Sequence, residues 1–320
     1  MTRRGWVLFL AMGLVWGVPY LLIKVAVQEV SPATLVFLRT LVGALVLLPL
    51  AAARGALKPL LPAWRPVLGY TLVEVTLPWL LLSDAERRLS SSLTGLLVAA
   101  VPLTGMVLAQ MIRADDRLQG RRLVGLVVGF VGVAVLLGLD VSVGDLAAVG
   151  EVGLVIVGYS LGPIIIARRL SRMPSVGVVT TSLALTAVFY ALPGGTQLGA
   201  RIPSPPVLGA VAVLAVVCTA LAFLLFFALI TEVGPVRAQM ITYVNPAVAV
   251  ALGVAVLGEP LTVGTIAGFL LIVVGLLLAT SVLGRRPKTS RAMTGPGRSL
   301  LEEVRPSATR GQKAASRPNF

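Results

Sequence analysis

The chain has 320 residues, of which 57% are hydrophobic and only 12% are charged, and its mean hydropathy is +0.96. A soluble domain carries about 25% charged residues, so this composition indicates a protein of the lipid bilayer. The lack of His and the single Cys exclude a disulfide framework, a Cys/His zinc site and Ser-His-Asp or Cys-His catalysis. Half of the net charge of +14 lies in residues 285–320, as expected for a basic tail near anionic lipid rather than a nucleic-acid-binding surface.

Ten apolar runs follow one another along the chain, and about 20 such residues cross the hydrocarbon core as a helix. The predicted spans are 6–27, 33–53, 66–83, 91–112, 122–139, 146–167, 175–192, 207–230, 236–257 and 263–283. The runs are continuous rather than alternating, which argues against a β-barrel. Arg3 and Arg4 precede the first run, but no Ala-x-Ala type of cleavage region follows, so no signal peptide is expected. The predicted fold class is an all-α integral membrane protein.

Lys and Arg in the connections predict the orientation. With the N-terminus inside, the inner connections hold 13 of them and the tail nine, whereas the outer connections hold three: Arg87, Arg88 and Arg201. Both termini are therefore expected to be cytoplasmic, although the Arg87–Arg88 pair disagrees. Arg outnumbers Lys by 23 to 4, which suits a bacterial genome rich in G and C and hence the plasma (inner) membrane.

The first two spans carry polar groups that are candidates for transport. Trp16 and Tyr20 offer aromatic walls with polar edges, although such residues also serve as packing or interface belts. Pro19 lies between them and is expected to bend the helix. Arg39, in the second span, is a candidate for a substrate carboxylate or for an ion pair with Glu74.

The third span contains the stretch "TLVEVTLPWLLL", residues 71–82, in which Glu74 is surrounded by apolar residues. A carboxylate there is costly unless it is paired, protonated or facing water. We expect Glu74 to bind a cationic substrate group or to carry a coupling proton, with a helix-bundling hydrogen bond as the alternative. Pro78 frees a backbone carbonyl near mid-membrane, and Trp79 is a further candidate for substrate contact. The prolines within the spans, Pro19, Pro78, Pro102, Pro163 and Pro246, are candidate gating residues.

Spans 4 and 6 add candidate gating residues. Glu151 lies in span 6 at a depth comparable to that of Lys24 in span 1. We expect the two charges to pair and to open or close the outer mouth, the alternative being two side chains that snorkel to the interface. Tyr159 is a candidate for substrate contact, and Pro102 and Pro163 are expected to bend their helices.

Span 9 places Tyr243, Asn245 and Pro246 in succession. Pro246 is expected to bend the helix, Tyr243 to contact substrate, and the Asn245 amide to bind a freed carbonyl or the substrate. Spans 5 and 10 carry small residues near the spacing i, i+4, i+7, for which internal packing is favoured over a dimer face. These glycines are Gly125, Gly129, Gly132, Gly264, Gly268 and Gly275.

Two halves of the chain resemble each other. Residues 93–137 match 237–280, with Pro102 opposite Pro246 at an offset of 144. Further matches are Leu118 with Leu261, Gly125 with Gly268, Gly132 with Gly275 and Trp16 with Tyr159. Each copy has five spans, so the second copy enters the membrane from the opposite side, as in many secondary transporters. The predicted organisation is two five-helix repeats, 1–141 and 142–284, followed by a basic, disordered cytoplasmic tail, 285–320.

Several motifs resemble the EamA family of the drug/metabolite transporter superfamily, over about residues 5–283. They are "WGVPYLLIKVA", "LVFLRTLVGALVLL", "GDLAAVGEVGLVIVGYSLGPIIIARRL" and "NPAVAVALGVAVLGEPLTVGTIAGFLLIVVGLLL". The resemblance implies a ten-helix inverted-repeat carrier that moves small metabolites, such as amino acids, and often exports them. Tyr159-Ser160 stands where a Trp-Ala pair is common in the family.

The expected function is therefore secondary transport, with a small molecule and membrane lipid as partners and no cofactor. A flippase for lipid-linked or amphiphilic molecules is the alternative. A membrane-embedded enzyme is less favoured, because the acids of Asp115–Asp116 and of the pair Asp84 and Glu86 diverge at their spacing. The chain also lacks a Gly-x-x-x-x-Gly-Lys loop for ATP.

Overall fold

The computed structural model describes residues 1–112, 120–198 and 202–280, and within these ranges the regular structure is entirely helical. Among the described residues, nine helical stretches are long and apolar enough to cross a membrane. They are α1 (Arg3–Ala26), α2 (Pro32–Ala53), α3 (Lys58–Ala85), α4 (Ser91–Ile112), α5 (Gly120–Asp140), α6 (Val143–Leu170), α7 (Ser175–Gly195), α8 (Pro205–Val233) and α9 (Gln239–Leu257). A shorter apolar helix, α10 (Val263–Thr280), follows. These stretches correspond to the predicted spans.

Several predictions lie wholly or partly outside the described residues, among them the match of Leu118 and the end of the span 263–283. Others concern the inner connection with Arg113 and Arg117, the adjacent Asp115 and Asp116, the outer Arg201, and the basic tail 285–320.

Three helices are interrupted beside the predicted prolines. In α1 the first α-helix ends at Gly17 and the second begins at Pro19. In α4 the interruption falls between Val98 and Val101, one residue before Pro102. In α9 a 3-10 turn, Gln239–Tyr243, precedes the α-helix Asn245–Leu257, which has Pro246 near its start. Proline lacks the N–H that would continue the helical ladder, which explains the position of each interruption.

Three other helices contain a π-helical segment: Thr71–Thr76 in α3, Ile166–Leu170 in α6 and Val216–Leu221 in α8. A π-helical turn inserts a residue into the helix, leaves the i→i−4 ladder locally unsatisfied, and occurs frequently at functional sites. The segments of α3 and α8 lie at a sequence offset of 145, close to the offset of the two matching halves.

Hydrogen bonds bring the C-terminal ends of several odd-numbered helices to the N-terminal ends of even-numbered helices. We call this end of the bundle, which contains the connection 86–90, the Glu86 end. The contacts join Lys24 with the carbonyls of Glu86 and Leu89, Glu259 with Ser91 and Ser92, Arg88 with Glu151, and Asp140 with Thr262 and Thr265. At the opposite end, the start of α1 meets the end of α8 through Thr2, Arg4 and Glu232. Consecutive helices therefore run in opposite directions.

The glycine rows of α5 and α10 form an internal contact, which confirms the packing interpretation. A Cβ added at Gly132 would lie 2.8 Å from the backbone nitrogen of Ile272, and one at Gly268 would lie 3.0 Å from the backbone oxygen of Gly132. A Cβ at Gly275 would collide with the backbone of Gly129. Small residues thus let the two backbones touch, which maximises dispersion contacts where no hydrophobic force drives helices together.

Candidate functional site

Glu74 lies in the middle of the π-helical segment of α3. Its Oε2 atom is buried and has no hydrogen-bond partner among the described residues. The carboxyl lies against α6, because a Cβ added at Gly162 would collide with it. The glycine thus provides the space in which the carboxyl sits.

The π-helical segment around Glu74 is held by α7. The Thr71 hydroxyl donates to Ser182 Oγ at 2.9 Å, Thr76 and Thr186 share a hydrogen bond of 2.8 Å, and the Tyr190 hydroxyl donates to the Thr76 carbonyl at 3.0 Å. The bond from Tyr190 satisfies a carbonyl of the irregular backbone, as a bilayer requires, and the other two join side chains of the two helices. The anchors are neutral and leave the carboxyl of Glu74 unengaged.

Arg39 lies against the π-helical segment of α8. Its Nε donates to Thr219 Oγ1 at 2.8 Å, and its guanidinium lies over the Trp79 ring, 3.8 Å from the centroid. The side chain is buried, with 8% of the residue exposed. Among the described residues, Arg39 forms no ion pair, and its two terminal nitrogens have no hydrogen bond. The ion pair with Glu74 is therefore not formed.

Two tyrosines lie next to this guanidinium. Tyr159 packs against the cluster that contains Trp79 and lies within electrostatic range of both Arg39 and Glu74. Tyr20, which is buried, also interacts electrostatically with Arg39 and Tyr159. The structure thus brings together five of the residues predicted to contact substrate. They form a row in space that runs from Glu74 through Tyr159 and the stacked pair of Arg39 and Trp79 to Tyr20.

The other three predicted contact residues lie elsewhere. Trp16 packs against Phe223 and Phe226, with ring centroids 5.9 and 4.7 Å away. Tyr243 packs beside the cluster around Leu103. The Asn245 amide, oriented to donate, bonds the carbonyls of Gly13 and Ile241 at 3.1 and 3.0 Å, so it serves the interrupted backbone of α9.

The predicted pair of Lys24 and Glu151 is wrong. Lys24 Nζ donates to the backbone carbonyls of Glu86 and Leu89, at 2.7 Å each. Both oxygens of Glu151 instead accept from Arg88, at 2.6 and 2.7 Å. Both charges do lie at the Glu86 end, but each one binds the connection between α3 and α4 rather than the other.

The five prolines predicted to gate lie at or near irregular backbone. Pro19, Pro102 and Pro246 adjoin the interruptions described above, Pro78 follows the π-helical segment of α3, and Pro163 precedes that of α6. Their placement is compatible with bending at these points, and the gating role stays a prediction.

Sequence reasoning missed Glu86, which it treated only as one of two diverging acids. No part of the residue is exposed to solvent, and neither carboxylate oxygen has a hydrogen-bond partner among the described residues. Its neighbours in sequence, Asp84, Arg87 and Arg88, are charged and part of a surface ion-pair network. A carboxylate in such a polar run is unremarkable in the sequence, and only the tertiary structure reveals its burial.

A surface groove of about 490 Å3 lies between α4 and α5. Its lining is Val107, Leu123, Leu126, Val127, Phe130, Val131 and Ala134. These side chains offer no group that binds a polar ligand, so the groove suits a lipid chain.

Comparison with known proteins gives a consistent picture. The profile of the EamA-like transporter family matches residues 3–138 and 150–281. YvbV of Bacillus subtilis (strain 168), named an uncharacterized transporter, is 28% identical over 275 residues, covering 84% of this chain and 88% of YvbV. YedA of Escherichia coli (strain K12), named an uncharacterized inner membrane transporter, is 27% identical over 264 residues, covering 79% of this chain and 82% of YedA. A protein solved by crystallography superposes with a TM-score of 0.64 at 21% identity, covering 89% of this chain and all of that one, which shows a shared fold.

Proposed function

Since this chain belongs to the EamA-like transporter family and is a membrane transporter, we propose that it exports small metabolites, such as amino acids or related compounds. The observation that carries the proposal is a guanidinium and a carboxyl group kept inside an apolar bundle without being joined to each other. Arg39 has two terminal nitrogens without a partner among the described residues, and Glu74 has one such oxygen. Buried charges are costly, so unpaired ones suit a protein whose ligand completes the pairing.

The chemistry of the site favours a small molecule that carries both charges or strong polar groups. A guanidinium binds a carboxylate through two parallel hydrogen bonds, and the terminal nitrogens of Arg39 are available for them. Glu74 would accept from an ammonium or hydroxyl group, and the aromatic rings of Trp79, Tyr20 and Tyr159 would enclose the apolar part. Glu74 is alternatively the group that carries a coupling proton.

The proposed architecture is ten membrane-spanning helices in two inverted repeats, 1–141 and 142–284. Equivalent contacts support it. At an offset of 143 or 144, Trp16 with Phe223 corresponds to Tyr159 with Trp79, and the structure contains both pairs. Helices α5 and α10 pack on each other, as do α2 and α7, which suits a two-fold axis between the repeats.

Transport would proceed by alternating access, with the two repeats rocking about the central residues. The interruptions at Pro19, Pro102 and Pro246 offer places where the helices can bend. At the Glu86 end, Lys24 and Glu151 each bind the connection 86–90 and would release it when that end opens.

The proposed location is the plasma (inner) membrane, with both termini cytoplasmic, so that the Glu86 end faces outward. The excess of Lys and Arg in the connections at the opposite end supports this orientation, and YedA is named an inner membrane transporter. No enzymatic role is proposed, because the charged groups of the described interior suit binding and no metal-type cluster of His, Cys, Asp and Glu occurs among them.

The experiment is an untargeted profile of the growth medium of cells that overproduce the wild type, Glu74→Gln or Arg39→Met at equal membrane levels. The control is Glu232→Gln, which removes a carboxylate charge at the opposite end. We expect one class of metabolite to accumulate outside with the wild type and the control only. Equal export by all variants would overturn the role of the site. No change with any protein would overturn export and favour import or lipid flipping.

A further inference from the structure

The Glu86 carboxyl is buried although it lies at one end of the bundle. It directly follows the last residue of α3, yet no part of the residue is exposed and neither oxygen has a hydrogen-bond partner among the described residues. A carboxylate in such surroundings is strongly disfavoured, whereas a protonated carboxyl is tolerated. The burial of the side chain and the protonation of the carboxyl are therefore linked.

The groups that face Glu86 come from four neighbouring parts of the structure. Lys24 and Tyr20 lie on α1, Arg39 on α2, Tyr159 on α6, and Glu259 on the connection between α9 and α10. Lys24 and Arg39 favour the charged carboxylate, and Glu259 opposes it, but burial is the largest influence and raises the pKa of Glu86 well above its usual range. This conformation thus favours the protonated form of Glu86 relative to a carboxyl group in water.

Lys24 is close enough to be an alternative partner but is engaged elsewhere. Its ammonium donates to the carbonyls of Glu86 and Leu89, so it binds the backbone of residue 86 and not the carboxylate. These carbonyls lie at the end of α3, where a cation also complements the helix dipole. A deprotonated Glu86 would compete with these carbonyls for Lys24 and weaken the contact that holds α1 to the connection 86–90.

The geometry points to Glu86 as a proton-binding site whose protonation keeps the Glu86 end closed. When the carboxyl loses its proton, this end must open to water or give up the contacts of Lys24. Since the closed conformation binds the proton more tightly than one with Glu86 in water, raising the pH shifts the population toward the open conformation. The inference rests on the proposed transport function. It adds that Glu86 binds a proton and that this proton controls the opening of the Glu86 end.

The test uses purified full-length protein in lipid nanodiscs, with spin labels at Val143→Cys and Ile202→Cys in a Cys218→Ala background. Val143 is the first residue of α6 and Ile202 lies in the connection between α7 and α8, both near the Glu86 end, and they are 85% and 81% exposed. Distances are measured by pulsed electron paramagnetic resonance between about pH 5 and about pH 9, a range that brackets a raised carboxyl pKa. The variant is Glu86→Gln, a permanently neutral side chain of similar shape. The control is Glu29→Gln, an exposed carboxylate near the same end that binds Ser204.

We expect the ratio of open to closed conformations of the wild type to rise with pH, by up to about tenfold per pH unit for one linked proton. Glu86→Gln should keep the low-pH distribution throughout, and Glu29→Gln should respond like the wild type. A pH response of Glu86→Gln equal to that of the wild type would overturn the proposal, as would a wild type whose distances do not change with pH.

Flux measurements separate this proposal from the proposed function. If Glu86→Gln loses the pH response while no metabolite moves in the wild type, transport fails and the proton site stands. If flux in Glu86→Gln keeps the pH profile of the wild type, the proton site fails and transport stands.

Discussion

The two π-helical segments of α3 and α8 share a backbone feature but differ in chemistry. In α3, neutral groups of α7 anchor the segment, and the charge is Glu74 on the segment itself. In α8 the segment is neutral, and the anchor is the charged Arg39 of α2, bound to Thr219. One segment thus carries a carboxyl group itself, whereas the other binds the guanidinium of a neighbouring helix, so the two regions present different groups to the interior, which a symmetric pair of sites would not do.

Removal of Arg39 is expected to have the largest effect, because it removes the positive charge that is bound to the α8 segment. Truncating one partner of a buried, hydrogen-bonded charge pair costs roughly 2–5 kcal/mol, so Arg39→Met should lower flux of the exported metabolite by more than about 30-fold. Arg39→Lys keeps the charge without the planar donors and should retain part of the activity. Counterflow in proteoliposomes measures both. Equal activity of Arg39→Met and the wild type would contradict the role of the Arg39 guanidinium in binding the metabolite.

Thr219→Val tests whether the α8 segment positions Arg39. The change keeps the shape of the side chain but removes the acceptor of a hydrogen bond from a charged group, worth about 1.5–3 kcal/mol. The buried thiol of Cys218 reports unfolding through its reaction with a fluorescent maleimide during heating. We expect a lower unfolding temperature and lower flux. Thr180→Val removes only a bond to the carbonyl of Val176 in its own helix and should change flux little.

Gly162→Ala tests the position of the Glu74 carboxyl without altering any charge. The added methyl group would occupy the space of the Glu74 carboxyl and displace it, so flux should fall by about tenfold, equivalent to about 1.4 kcal/mol. The matched control is Gly105→Ala, whose Cβ would only make an ordinary contact, 3.9 Å from Ser160. Wild-type flux in Gly162→Ala would show that the position of the carboxyl is unimportant.

Tyr190→Phe should have the smallest effect, since it removes one of three neutral anchors of the α3 segment. The lost hydrogen bond to the Thr76 carbonyl is worth about 0.5–1.5 kcal/mol. Thermal unfolding followed by the Cys218 thiol should show a modest decrease in stability, while the substrate affinity stays near that of the wild type. A large loss of affinity would mean that the α3 segment binds substrate through its backbone.

Much of the architecture could be predicted from the sequence, because a bilayer imposes a minimum length on each apolar helix. The predicted spans correspond to the observed helices within a few residues at their ends, apart from the start of α3, which begins at Lys58 rather than at residue 66. Glu74 also stood out, since a carboxylate within an apolar run is conspicuous. The π-helical segments could not be predicted, because they depend on partners from distant helices, such as Tyr190 for α3.

The errors at the Glu86 end have a physical cause. Depth along a helix can be counted in residues, but the direction of a side chain around the bundle cannot, so Lys24 and Glu151 at similar depth did not meet. Arg88, which pairs with Glu151, follows the predicted span in a polar run where its partner is not evident. Glu86 was missed for the same reason, since its burial arises from packing of helices far apart in the sequence.

The most direct measurement of the central claim is an experimental structure of the protein with its exported metabolite bound. We expect an anionic group of the ligand about 2.7–2.9 Å from the terminal nitrogens of Arg39, with its remaining polar part toward Glu74 and Tyr159. A ligand bound elsewhere, for example in the apolar groove beside Phe130, with Arg39 and Glu74 unchanged, would contradict it.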